Sequence, residues 1–289
     1  IKRGLLMVEV TLLGVAQDGA RPQAGCIQPC CAGLTAEDTM FPVSLGIIDD
    51  SGDGHLIEAT RYLGEQFRIW GAPSLDSVWL THAHFGHVDG LGLFGKETMA
   101  SRDLDLHVSD EMFHLMEETP QWALMLKQGV FQDKVFQNGE RITKNEDLSI
   151  IPIVIPHRDE LSDMHAFLIC GANKRLLFLP DHDSWQQTLD CHHQPDIRSW
   201  LRHLQVDIAL LDGTFWSEEE LGGRSQQDVP HPPVKQTLQL LGERKTDDPE
   251  IIFIHLNHTN PLYDESSPAY EEVTSNGWKV GVQGQTFIL

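Results

Sequence analysis

Apolar positions along this chain gather in short runs bounded by Gly, Pro, Asn or Asp, and only a few stretches repeat at helical spacing. Runs at 8–13, 44–48, 55–59, 78–80, 104–108, 148–155, 166–170, 176–179, 208–211, 251–255, 278–280 and 286–289 are apolar or alternate with polar residues, the pattern of strands. Segments 110–118, 196–204, 234–241 and 268–275 carry helical spacing, with Asp110, Asp196 and Ser267 near their starts as candidate N-caps. Many short strands with a few interposed helices predict a layered α/β protein.

No Gly/Ser/Pro-rich linker or charge run divides the 289 residues, so one large domain spanning 1–289 is expected. No apolar run reaches the roughly 20 residues that cross a bilayer, and no membrane partner is expected. The start, Ile1-Lys2-Arg3-Gly4-Leu5-Leu6-Met7-Val8-Glu9, has a basic pair, but Glu9 interrupts its apolar run and the segment reads on into a strand. A cytoplasmic location is therefore expected, although an opening on Ile rather than Met leaves a removed leader open. Formal net charge is -22, with 43 acids against 21 bases. Such a field repels polyphosphates unless a basic groove intervenes, and no Lys/Arg cluster is present. Nucleic acid is thus excluded as a partner in favour of a small-molecule substrate. Oligomeric state is not legible.

Of five Cys, three crowd together as Cys26, Cys30 and Cys31, while Cys170 and Cys191 stand alone. An odd count in this arrangement does not read as a disulfide framework. The three thiols either pack a loop in reduced form or hold a structural zinc, whose fourth ligand comes from Cys191, His192, His193 or another distant residue. A second concentration of chemistry is Thr81-His82-Ala83-His84-Phe85-Gly86-His87-Val88-Asp89-Gly90, directly after the strand-like Ser77-Val78-Trp79-Leu80. Side chains at i and i+2 of a strand share a face, so His82 and His84 project together, and the following turn can return His87 to the same point. This reads as a metal site, and neutral imidazole suits zinc, iron and manganese alike.

The histidine stretch resembles the second motif of the metallo-β-lactamase superfamily, His-x-His-x-Asp-His, and the other motifs follow in order. His55-Leu56-Ile57-Glu58 resembles the first, Ile155-Pro156-His157 the third, Leu177-Phe178-Leu179-Pro180-Asp181 the fourth, and Ile254-His255-Leu256-Asn257-His258 the fifth. Within the superfamily, Leu13-Gly14-Val15-Ala16-Gln17-Asp18-Gly19, the Cys cluster and Asn257-His258-Thr259-Asn260-Pro261-Leu262 are similar to a branch related to pyrroloquinoline-quinone biosynthesis protein B. The resemblance implies an αββα four-layer sandwich with metal ligands on loops along one edge. It implies a cation site of His82, His84 and His157, with Asp181 bridging to a second cation held by His87 and His255. The expected cofactor is one or two divalent cations, zinc first and iron or manganese as alternatives. The same branch implies a structural zinc at Cys26, Cys30 and Cys31. Gly86 and Glu58 both stand where the superfamily has Asp. Without a carboxylate at position 86, the second site is expected to be weak, or to recruit His258.

His255 and His258 compete for the ligand role in the fifth motif. Its place at the strand end favours His255 and leaves His258 as a proton donor to the leaving group, or as a loop histidine bonded to backbone. Asp181 and Glu58 complete the catalytic candidates, either of them able to orient an imidazole. Asp212 either supports an imidazole or caps the next turn. Pro230-His231-Pro232-Pro233 reads as a stiff loop that lies on the surface or overhangs the cleft, the surface favoured, and Asp183, Trp185 and Phe215 line a pocket beside Asp181 or fill the core. The function expected is hydrolysis of a small ester, lactone, thioester or phosphodiester by a metal-bound hydroxide. The alternative is a metal-dependent oxygenase or pathway protein in pyrroloquinoline-quinone-like cofactor biosynthesis.

Overall fold

The computed structural model of the protein describes residues 7–221 and 229–289, so the basic pair Lys2-Arg3 lies outside the described residues. One sheet is built from β1 (Glu9–Gly14), β2 (Ser44–Ile48), β3 (Asp53–Ile57), β4 (Ser74–Trp79), β5 (Leu104–Val108), β6 (Phe131–Val135) and, from the far end of the chain, β14 (Thr286–Ile288). The other takes β7 (Ile142–Thr143), β8 (Ser149–Ile155), β9 (Met164–Cys170), β10 (Arg175–Leu179), β11 (Ile208–Asp212), β12 (Glu250–Ile254) and β13 (Lys279–Val280). Their orders are β14-β1-β2-β3-β4-β5-β6 and β13-β12-β11-β10-β9-β8-β7. Strands β3 to β6 run parallel, as do β10 to β13.

The apolar runs are continuous because the central strands are buried on both faces, and the period of two decides which core each side chain joins. On β10, Leu176 and Phe178 point between the sheets, where they meet Val10, Leu45 and Ile57 of the other sheet. Leu177 and Leu179 point outward against Trp185 and Leu189 of α5 (Trp185–Cys191), Trp200 of α6 (Ile197–His203) and Leu238 of α7 (Val234–Leu241). Trp70, Met112 and Met125, from helices at 63–70, 110–118 and 120–127, cover the outer face of the first sheet with Leu56, Val78 and Leu106. Helix, sheet, sheet, helix is the αββα sandwich. Among the described residues no helix is long and apolar enough to cross a membrane.

The predicted strands and helices are present, with differences at the edges. β6 has an exposed middle, Gln132-Asp133-Lys134, and β7 is two residues long. Both lie toward one edge of a sheet, where charged side chains discourage pairing with another chain and erase the apolar signal. Ser109 rather than Asp110 caps the helix at 110–118, its hydroxyl accepting from Met112 N at 3.2 Å. Asp196 and Ser267 cap as expected. The helix at 63–70 escaped the periodicity reading because Gln66 shares its buried face with Leu63 and Trp70, donating to Pro42 O.

Phe178 is wholly buried between the sheets. Phe178→Ala is expected to destabilise the protein by about 3–5 kcal/mol through lost transfer energy and an unfilled cavity, whereas Leu124→Ala at an exposed site changes it by less than about 1 kcal/mol. Urea unfolding of both variants checks the contrast.

Candidate metal centre

Strand ends deliver the polar residues of the cleft. Glu58 follows β3, and Thr81, His82 and His84 follow β4. His157 follows β8, Asp181 follows β10, Asp212 closes β11 and His255 follows β12. His87 sits on the single turn α2 (Phe85–Val88), held against the end of β3 by Ala59 N donating to His87 O at 2.8 Å and Gly90 N to Ala59 O at 2.7 Å. Position 90 needs glycine there, since a Cβ would lie 2.0 Å from Thr60 O.

The donor atoms of His82, His84 and His157 lie within 4.8 Å of one another, as do those of His82, His87 and Asp181. Asp181 is the hub. Its Oδ2 is 3.2 Å from His87 Nε2, and its Oδ1 is 3.4 Å from His255 Nδ1, 3.7 Å from His231 Nδ1 and 4.0 Å from His157 Nε2. Asp18, on the loop after β1, joins His87 and His255 in a third such group. Its Oδ1 is 3.4 Å from His87 Nε2 and 3.5 Å from His255 Nε2.

Most of these imidazoles are held from behind. Thr81 Oγ1 is 2.8 Å from His82 Nδ1, Glu58 Oε1 3.1 Å from His87 Nδ1, and Asp183 Oδ1 3.1 Å from His157 Nδ1. Thr214 Oγ1 is 2.9 Å from His255 Nδ1, and Asp212 Oδ2 is 2.8 Å from His231 Nδ1. Fixing one ring nitrogen this way sets the tautomer and aims the other. Glu58 and His255 take left-handed backbone conformations, φ 70° and 60°, which cost non-glycine residues free energy and concentrate at functional sites.

Burial and the neighbouring His87 push His82 well below the ordinary histidine value, and burial brings His84 down to about 4 against the pull of Asp181. Both are neutral at pH 7, the form that binds a cation. His87 is the opposite case: burial lowers it, but Glu58 and Asp181 outweigh burial and hold it well above the ordinary value. Burial works to raise Asp181 and Asp18, and the imidazoles of His255 and His87 overcome it, holding both carboxyls well below their usual range. A proton on His87 and a divalent cation are thus alternative counter-charges for the same carboxylates.

Residues 51–256 match the Beta-lactamase superfamily domain. The chain belongs to the metallo-β-lactamase superfamily. It is 24% identical to coenzyme PQQ synthesis protein B of Xanthomonas oryzae pv. oryzae (strain MAFF 311018), covering 98% of this chain and 100% of that protein. Zn(2+)-bound PqqB from Methylobacterium extorquens superposes with a TM-score of 0.77 at 20% identity, covering 97% of this chain and 100% of that one. A diphosphatase from the PhnP family superposes with a TM-score of 0.68 at 19% identity over 98% of this chain and 97% of its own. Likeness at these identities speaks for the fold.

Two sequence expectations are corrected by position. His258 is not beside His255: its Nδ1 lies 3.4 Å from both Cys30 Sγ and Cys31 Sγ, because the turn Asn257-His258 carries it toward the cysteine loop. His231 is no surface histidine; Pro232 and Pro233 lead directly into α7, which packs the loop inward and leaves the residue 3% exposed. Glu58, expected to orient an imidazole, is wholly buried behind His87, with Oε1 3.1 Å from its Nδ1, and accepts from Thr81 Oγ1. Asp18 escaped notice altogether. Its motif indicated the branch, and nothing local marks it as facing two histidines. Asp183 touches His157, while Trp185 fills the core, donating to Thr237 Oγ1 at 2.8 Å.

With the metal removed by chelator, the burial of His84 gives a pH signature. Its folded value of about 4 lies below the unfolded value near 6.5, so the unfolded chain binds more protons between the two. The His84 contribution to stability is constant above pH 6.5 and is lost as pH falls toward 4, by at most roughly 3 kcal/mol. Urea unfolding of the metal-free protein at several pH values should show a loss of stability toward pH 4, and His84→Gln should make that slope shallower.

Proposed function

We propose that the cleft holds one or two divalent cations and that the protein is a metal-dependent hydrolase of a small ester, lactone, thioester or phosphodiester. One observation carries this reading: His157 Nε2, His255 Nε2, Asp18 Oδ1 and Asp181 Oδ2 are all buried, face one cleft and have no hydrogen-bond partner. Each such atom costs about 1–3 kcal/mol, more where charged, unless something meets it. Nitrogen and carboxylate donors in this ratio suit zinc, manganese or iron. His82, His84 and His157 would hold one cation, His87 and His255 the other, with Asp181 between them.

When bound, a divalent cation supplies the nucleophile by lowering the pKa of its water from about 16 to about 7. The protein's own groups do the rest. Thr81, Glu58, Asp183 and Thr214 fix the ring orientations. His231, raised because Asp212 and Asp181 outweigh its burial, is the imidazole best placed to hand a proton to a leaving group. The guanidinium of Arg158, 3.4 Å from His84 Nδ1, puts positive charge beside the cluster, which favours an anionic ester such as a small phosphodiester.

A second reading is favoured by the end-to-end likeness to coenzyme PQQ synthesis protein B: a metal-dependent oxygenase or pathway protein in the making of a related cofactor. Metal analysis with and without oxygen, followed by assay on phosphodiesters, lactones and thioesters, separates the two. Under the hydrolase reading, His82→Ala and His157→Ala are expected to lose cation and turnover together, whereas His231→Ala keeps the cation and loses about a hundredfold or more in rate. Metal loss on His231→Ala would transfer that residue to the ligand set.

A structural zinc at Cys26, Cys30, Cys31 and His258 completes the proposal. The four donors lie within 4.8 Å of one another, a Cys₃His set of the kind that closes a tetrahedral site. The loop is pinned there by Arg21, whose Nε donates to Cys30 O at 3.1 Å and whose guanidinium lies over the Tyr263 ring. Cys31→Ser is expected to remove one zinc per chain and lower the thermal midpoint by several degrees; an unchanged zinc count would refute the site.

A further inference from the structure

We infer that Asp18 is the carboxylate ligand of the second cation position, reaching in from the loop after β1 to take the place of the side chain that Gly86 lacks. The inference rests on the reading of the cleft as a metal centre and supplies what the second motif is missing. A Cβ on Gly86 would lie 2.2 Å from Asp18 Oδ1, 2.5 Å from its Cγ and 2.6 Å from its Cα. The last contact is to backbone, so the conflict cannot be relieved by turning a rotamer. A carboxylate at position 86 and the observed loop at position 18 exclude each other. One volume beside His87 therefore has two possible owners, and in this chain it belongs to Asp18.

The aim of the carboxylate fits the role. Asp18 Oδ1 lies between His87 Nε2 and His255 Nε2, at 3.4 and 3.5 Å, and is shut from solvent without a hydrogen-bond partner although about a third of the side chain is exposed. The loop that carries it is not free to swing. Gln17 N donates to Leu256 O at 2.9 Å and Leu256 N to Val15 O at 2.8 Å, which ties β1's exit to the residue after His255. Ala16 bridges to both Pro42 and Leu256. Asp18 and His255 are thus positioned by one backbone strap, and the second cation position gains a donor set of Asp18, His87, His255 and Asp181. That set replaces the weak site expected from Gly86 and leaves no need for His258.

The test counts metal on the full chain, stripped with chelator, reloaded with Zn²⁺ and freed of excess, with Zn²⁺ titration calorimetry for affinity. Wild type, Asp18→Asn and Gly86→Ala are compared. Asp18→Asn is expected to weaken one cleft equivalent by about tenfold or more, leaving the other cleft equivalent and the cysteine-bound zinc unchanged. Gly86→Ala is expected to weaken the same equivalent, because its Cβ displaces the backbone that carries Asp18. Asp18→Asn that keeps every equivalent at wild-type affinity overturns the inference alone. So does a folded Gly86→Ala variant, judged by its thermal midpoint, that binds that equivalent as tightly as wild type. Wild type that takes up no Zn²⁺ in the cleft overturns the reading of the metal centre itself, a separate and recognisable result.

Discussion

A carboxylate with only 2% exposure, Asp181, stands within 4.0 Å of imidazoles from four separated segments of the chain. An isolated buried anion is among the costliest groups a fold can hold, so its neighbours must bring positive charge. His87 does so in the metal-free protein, and a divalent cation would do it better. The layers of the sandwich follow from the same demand, because two sheets must face each other closely enough for the ends of β4, β8, β10 and β12 to meet at one edge.

Rigidity behind the cleft matters as much as proximity. The threonines at 81 and 214 and the carboxylates at 58, 183 and 212 each touch a ring nitrogen of the cluster. Several are themselves fixed: Asp212 Oδ1 accepts from both Thr214 N and Thr214 Oγ1, at 2.9 and 2.7 Å. His82 Nε2 meets His84 Nδ1 at 2.9 Å, but rings locked this way leave His157 Nε2 and His255 Nε2 without a hydrogen-bond partner. Hydrogen-bonding potential left unmet in a folded protein is normally a sign that a ligand supplies it.

Both centres share the segment from His255 to His258. His255 faces Asp181 and Asp18 in the cleft, while His258, three residues on, faces Cys30 and Cys31. The loop after β1 spans the same two places, with Asp18 at one end and the cysteines beyond it. A cation in the cysteine cluster would therefore brace the strap that aims Asp18, which gives a site remote from the chemistry a reason to stand so near it.

Local pattern alone determined the strand runs, several helix caps and the pairing of His82 with His84, because these depend on spacings of a few residues along one element. The order of the motifs likewise carried the sandwich and the approach of His157, Asp181 and His255 to the same edge. Which loop turns inward was not legible. His231 lies between prolines and reads as surface until α7 packs it under the cleft. His258 reads as a partner of His255 until the turn after β12 sends it to the cysteines. Asp18 and Gly86 are separated in sequence by the strands β2, β3 and β4, and no property of either residue announces that they compete for one volume. Only the tertiary structure decides such matters, since steric exclusion and burial arise between segments, whereas periodicity and capping arise within them.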